Sequence, residues 1–176
     1  MKYSFTKIAL NINILFLVGI LFFFSCKESE NYPVVPQLTF ESFTNLRTYA
    51  GIDTMGIMIL SFTDGDGDLG LADYDTSTNF FVKYFVMNNG LLEEGTRYNP
   101  VTGQSEPITF NVRIPNLAPD NYKGWLKGQI EDTISPLRNA TSSKTWDTVM
   151  FRAWIFDRAG NKSNEIETPL ILVKNQ

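Results

Sequence analysis

Met55-Gly56-Ile57-Met58-Ile59-Leu60-Ser61-Phe62 runs without a break into Thr63-Asp64-Gly65-Asp66-Gly67-Asp68-Leu69-Gly70. In an extended chain, Met55, Ile57 and Ile59 fall on one face and Met58, Leu60 and Phe62 on the other, so both faces are apolar. That pattern predicts a central strand, ended by the glycine-rich turn that follows it. The turn itself places three carboxylates at every second position. Like charges this close repel, and the glycines add backbone entropy that folding must remove. A hard cation answers both costs. Ca²⁺ takes six to eight oxygen ligands, and loops that wrap it supply side-chain oxygens from positions 1, 3 and 5. With Asp64 as position 1, Asp66 and Asp68 fall at 3 and 5, and Asp75 at position 12, where a bidentate Glu ordinarily stands. Position 6 is Leu69 rather than Gly and no helix flanks the loop, so the expected site is a calcium-loop-like acidic turn on a β scaffold. The alternative is a solvated Asp/Gly turn between strands.

Outward from this stretch the period stays at two, with no helical stripe. Leu38 and Phe40 alternate with Thr39 and Glu41 as a short first strand. Residues 80–87 form a third, with Phe80, Val82, Tyr84 and Val86 on one face and Phe81, Phe85 and Met87 on the other. A strand this apolar needs cover on both sides. Residues 91–107 are expected as a long irregular connection. Ile108, Phe110, Val112 and Ile114 alternate with polar residues as the cleanest half-buried strand, and 122–131 repeats the pattern with Leu126 and Ile130 inward and Trp125 outward. A polar loop, 132–144, precedes a strand with Val149, Phe151, Ala153 and Ile155 inward. The last strand, 166–173, carries Pro169 and is expected at an edge. Seven short strands and no helix predict an all-β fold, a Greek-key β-sandwich of immunoglobulin or fibronectin III type, over residues 37–176.

The first 25 residues have the form of a secretory leader: Lys2 and Lys7, an apolar run over 8–24, then Ser25. Cys26 is the only cysteine, so no internal disulfide is available to it. Phe23-Phe24-Ser25-Cys26 resembles a bacterial lipobox, with Phe23 in place of the usual Leu, which implies a lipid on Cys26 and a membrane as its partner. Residues 26–36, kept extended by Pro33 and Pro36, read as a tether. Its Lys27-Glu28-Ser29-Glu30 resembles the acidic export signal of Bacteroidota-type lipoproteins and implies the outer face of the outer membrane, with a periplasm-facing anchor as the alternative. Loss of Lys2 and Lys7 with the leader takes the net charge from −4 to −6, which gives no basic stripe for nucleic acid.

Two segments together extend the resemblance. Ser61-Phe62-Thr63-Asp64-Gly65-Asp66-Gly67-Asp68-Leu69-Gly70 and Asp157-Arg158-Ala159-Gly160-Asn161-Lys162-Ser163-Asn164 are similar to small outer-membrane lipoproteins of Bacteroidota type with one immunoglobulin-like domain. That family implies a fold and an address, and no activity. In such a sandwich the loop after the second strand and the last hairpin emerge at one pole. Asp157 and Asn161 are therefore expected near the acidic loop, Asp157 as a further ligand or as the cap of its own turn.

The chain has no histidine, so Ser/His/Asp, Cys/His and His-zinc chemistry are unavailable to it. A carboxylate-dependent glycan hydrolase would have to use Glu93-Glu94 or Asp73/Asp75. The expectation is instead a non-catalytic, calcium-stabilised surface module for a glycan or protein, with Tyr98, Trp125, Trp154 and Phe156 as contact residues unless they pack inward. The alternative is a structural or accessory subunit of an envelope complex.

Overall fold

The computed structural model describes residues 30–119, 122–137 and 145–176. The chain divides into Met1–Glu30 and Asn31–Gln176. The expected leader and Cys26, and residues 138–144 of the second polar loop, lie outside the described residues. Asn31–Gln176 contains every described strand and the whole core, which is what a unit that folds by itself requires.

Two antiparallel sheets make up the fold, and no helix occurs among the described residues. The first has the order β1-β2-β7, with β1 Gln37–Arg47, β2 Asp53–Asp64 and β7 Leu126–Ile134. β2 is central, as its two apolar faces require. Met58, Leu60 and Phe62 are buried, while Ile57 and Ile59 on the other face are half-buried. The second sheet has the order β10-β8-β3-β4, with β3 Phe80–Asn88, β4 Leu91–Glu94, β8 Trp146–Ile155 and β10 Ile171–Lys174; β9 Ile166–Glu167 also pairs with β8. A separate hairpin joins β5 Thr96–Asn99 to β6 Gln104–Pro107.

One hydrophobic cluster lies between the layers and draws on both, which makes the fold sandwich-like. Leu38, Met58, Leu60, Phe62, Ile130 and Ile134 meet Phe80, Val82, Tyr84, Val149, Phe151 and Ile155. Phe151 is its centre: fully buried, it stacks on Phe43 at 5.3 Å and touches Tyr84 and Phe110 at 5.7 and 6.1 Å. Each such side chain taken out of water stabilises the fold by roughly 1.5–3 kcal/mol.

Four expectations change. The first strand is eleven residues long rather than a short 38–41 piece, because a bulge between Phe40 and Ser42 shifts its register and brings Phe43 inward. Residues 91–107 are not irregular: they form β4 and the β5–β6 hairpin. Residues 108–114 are not a regular strand. They run beside β3 with bridges at Phe80–Val112 and Lys83–Thr109, but the Val82 N–H donates to the Asn111 side chain instead of the Phe110 carbonyl, which interrupts the ladder. Gly95 donates to the Tyr84 carbonyl and accepts from Ile108, so β4 and 108–114 line one edge of β3 with the hairpin inserted between them. β7 begins at Leu126, later than expected, and runs on to Ile134. The last strand lies at the edge as Pro169 requires, split there into β9 and β10.

Candidate metal centre

β2 delivers Asp64 as its last residue, paired with Leu126 of β7, at the pole where β1 and β3 also begin. Asp64 is fully buried, and its Oδ2 accepts the Leu69 N–H at 2.8 Å, which closes the acidic turn. Leu69, also fully buried, pins the turn to the core. Gly67 has φ +73°, and a Cβ there would meet the Gly124 carbonyl and the Tyr122 ring, so the position requires glycine. The Gly65 N–H donates to the Pro33 carbonyl at 2.8 Å, which docks the tether on the same loop.

The second motif meets the first. After β8, the hairpin over 157–161 donates two backbone N–H groups to Asp68: Ala159 to its Oδ2 at 3.0 Å and Arg158 to its carbonyl at 3.3 Å. Asp157 is buried and held by Asn161, whose N–H and side-chain amide donate to its two oxygens at 2.7 and 2.8 Å. Asp64, Asp68 and Asp157 thereby each present a carboxylate oxygen within 4.8 Å of the others. Oδ1 of Asp64 and Oδ1 of Asp68 are buried without any hydrogen-bond partner. Such atoms ordinarily find one.

Electrostatics mark the same place. Burial pushes the Asp64 carboxyl up to about 6, helped by the charges of Asp66 and Asp68 and opposed by the Leu69 N–H. Burial also raises Asp68, followed by the charges of Asp157 and Asp66, while the Ala159 N–H and the Arg158 charge pull it down. An all-oxygen, strongly anionic set with two unpartnered buried oxygens suits a hard cation and offers nothing to a nitrogen- or sulfur-preferring one.

The other expected ligands stand apart. Asp66 is exposed and outside the close cluster, although its charge bears on both Asp64 and Asp68. Asp75, assigned from loop spacing to position 12, is not brought to the cluster. Its Oδ1 accepts the N–H and hydroxyl of Ser77 at 2.9 and 2.6 Å, which hold its carboxyl below the usual range. The reason is Arg113, whose guanidinium donates to the carbonyls of Leu71, Ala72 and Asp75 and folds that segment into a turn of its own. Arg113 positions this pole without any sequence signature, whereas Asn161 lies at the pole where the last hairpin was expected to meet the acidic loop.

The aromatic candidates lie in three separate places. Tyr98 is exposed on β5. Trp125 is 43% exposed just ahead of β7, edge-on to Tyr32 at 5.4 Å. Trp154 is half-buried on the outer face of the second sheet, stacked on Phe81 at 5.6 Å with the Lys162 ammonium 4.7 Å from its ring centre. Phe156 meets Phe81 edge-on there. Of the acidic residues a hydrolase would need, Glu94 is paired with Lys83 at 2.9 Å and Asp75 with Ser77. A groove of about 690 Å³ between β1 and the β9–β10 edge is lined by Phe40, Phe43, Arg47, Leu170 and Leu172 among others, with no carboxylate. Compared with protein-family models, curated proteins and solved structures, the chain matches none.

Proposed function

We propose that this protein is a lipid-anchored, calcium-stabilised surface module of the outer membrane, non-catalytic and built on an immunoglobulin-like Greek-key sandwich. The observation that carries the reading is the cluster of Asp64, Asp68 and Asp157, in which two buried carboxylate oxygens have no partner. Asp64, Asp68 and Asp157 hold the ion, with Asp66 alongside, and the ion neutralises the cluster and ties the acidic turn to the last hairpin. The fold assignment is supported by strand order. β1-β2-β7 and β10-β8-β3-β4 correspond to strands A-B-E and G-F-C-C′ of the immunoglobulin plan. The anchor is supported by the lipobox-like 23–26 and the acidic tether after it. A glycan or protein partner is served best by the outer face of the second sheet, where Phe81, Trp154 and Phe156 form a cation-flanked aromatic strip. The β5–β6 hairpin favours a second reading, an accessory subunit of an envelope complex, because it carries Tyr98 and Val101 at 63% and 91% exposure.

The test is a thermal melt of residues 31–176 in millimolar Ca²⁺ and in chelator. Ligand at ~100 times its dissociation constant adds about 2.7 kcal/mol, several degrees for a domain of this size. A rise that Asp68→Ala abolishes supports the reading. Superimposable melts in the two buffers would remove it.

A further inference from the structure

The pole that carries the ion cluster also receives the tether. Gln37, the first residue of β1, pairs with Thr63 beside Asp64, and Pro33 is bound by Gly65 in the acidic turn. Only five residues separate Cys26 from Tyr32, six steps along the chain that span at most about 22 Å when fully extended. A lipid on Cys26 therefore keeps this pole, rather than the far end of the strands, close to the bilayer.

The same pole exposes apolar and aromatic side chains: Tyr74 at 90%, Tyr122 at 44%, Trp125 at 43% and Leu117 at 42%. Two of them are tied to the acidic turn. The Tyr122 ring lies over Gly67, where a Cβ would strike it, and its hydroxyl donates to the Trp125 carbonyl at 2.9 Å. Trp125 in turn packs edge-on against Tyr32 of the tether, with the Lys127 ammonium 5.7 Å from the centre of the Tyr32 ring. Lys123, between the two rings in sequence, is exposed. Tryptophan and tyrosine with an apolar body and a polar tip concentrate at the lipid–water boundary, and lysine reaches from there to headgroups.

We infer that this pole is a membrane-docking surface: Trp125 and Tyr122 enter the headgroup region of a phospholipid bilayer, held in place by the cation-ordered turn over 64–70. The inference rests on the anchored, ion-binding reading above. Ion binding fixes Gly67 and Gly65, and through them the Tyr122–Trp125–Tyr32 contacts. The outer face of the second sheet is then left clear for a partner.

The experiment uses residues 31–176, which lack Cys26, so that lipid attachment contributes nothing to the result. The protein is sedimented with vesicles of phosphatidylcholine and phosphatidylglycerol in millimolar Ca²⁺ or chelator, while parallel melts report ion binding. The expected result is co-sedimentation in Ca²⁺, lost in chelator, and reduced about tenfold in Trp125→Ser/Tyr122→Ser, a variant whose calcium-dependent melt shift is retained. A calcium-dependent melt shift without vesicle binding overturns the inference and leaves the ion reading standing. Binding that is indifferent to the double substitution, or a dimer formed through this pole in place of vesicle binding, also overturns it. Absence of both the melt shift and vesicle binding defeats the ion reading and the inference with it.

Discussion

Asp64→Asn isolates the tension in the acidic cluster. The amide keeps an oxygen to accept the Leu69 N–H and removes only the charge from a fully buried position. The Asp64 carboxyl is raised from 3.8 to about 6, by burial first and then by Asp66 and Asp68. A shift of roughly two units at about 1.4 kcal/mol each corresponds to about 3 kcal/mol of penalty on the ionised, cation-free domain. The sign follows from linkage. The folded state holds its proton longer than the unfolded chain, so stability falls as pH rises from about 4 to about 6 and is level above that. In chelator at neutral pH the variant should therefore be more stable than the parent, by up to about 3 kcal/mol or roughly 6–12 °C in Tm. The advantage shrinks toward pH 4. In Ca²⁺ the order reverses, because the parent gains the ion and the variant does not. Thermal melts by circular dichroism, in both buffers across this pH range, read all of this. A variant less stable than the parent in chelator at neutral pH would refute the strained-carboxylate reasoning.

Three further outcomes follow from the geometry. Phe151→Ala removes the ring that touches Phe43, Tyr84 and Phe110, and should cost about 3–5 kcal/mol in urea unfolding, with the slope unchanged. Asn164→Ala leaves both backbone groups of Leu38 without the amide that bonds them at 2.7 and 2.9 Å; a loss of about 1–3 kcal/mol is expected, with faster amide exchange confined to the start of β1. Asp53 is fully buried, and although burial pushes its carboxyl up, donors from Arg47, the Lys174 N–H and Asn45 more than offset this and hold it below its usual value. Its contribution is present above the unfolded value near 3.8 and is lost as pH falls below it, so Asp53→Asn should destabilise the domain at neutral pH and flatten the acid limb of its stability curve.

The alternation of large apolar residues was enough to locate six of the seven expected strands, because β2, β3 and β8 bury one face continuously. It failed where local geometry departs from strict period two. The bulge after Phe40 hides Phe43, and the Asn111 side chain takes a ladder position that 108–114 needed to be a regular strand. β4 to β6 went unread for a different reason: Leu91, Leu92, Tyr98 and the whole of β6 are exposed, so hairpin pairing rather than burial organises them. In the acidic cluster, Asp64 and Asp68 were legible from spacing, and the approach of Asp157 followed from the shared pole. Asp75 is not brought to the cluster, because loop spacing assumes one continuous wrap, and Arg113, distant in sequence, folds that segment elsewhere.

The central claim is that Asp64, Asp68 and Asp157 hold one Ca²⁺ between the acidic turn and the last hairpin. Calorimetric titration of Ca²⁺ into residues 31–176, beside single Asn substitutions at 64, 68, 157 and 75, tests it most directly. The account predicts one site per chain, lost in the first three variants and intact in Asp75→Asn. No binding heat in the parent, or a site that depends on Asp75 and not on Asp157, would contradict it.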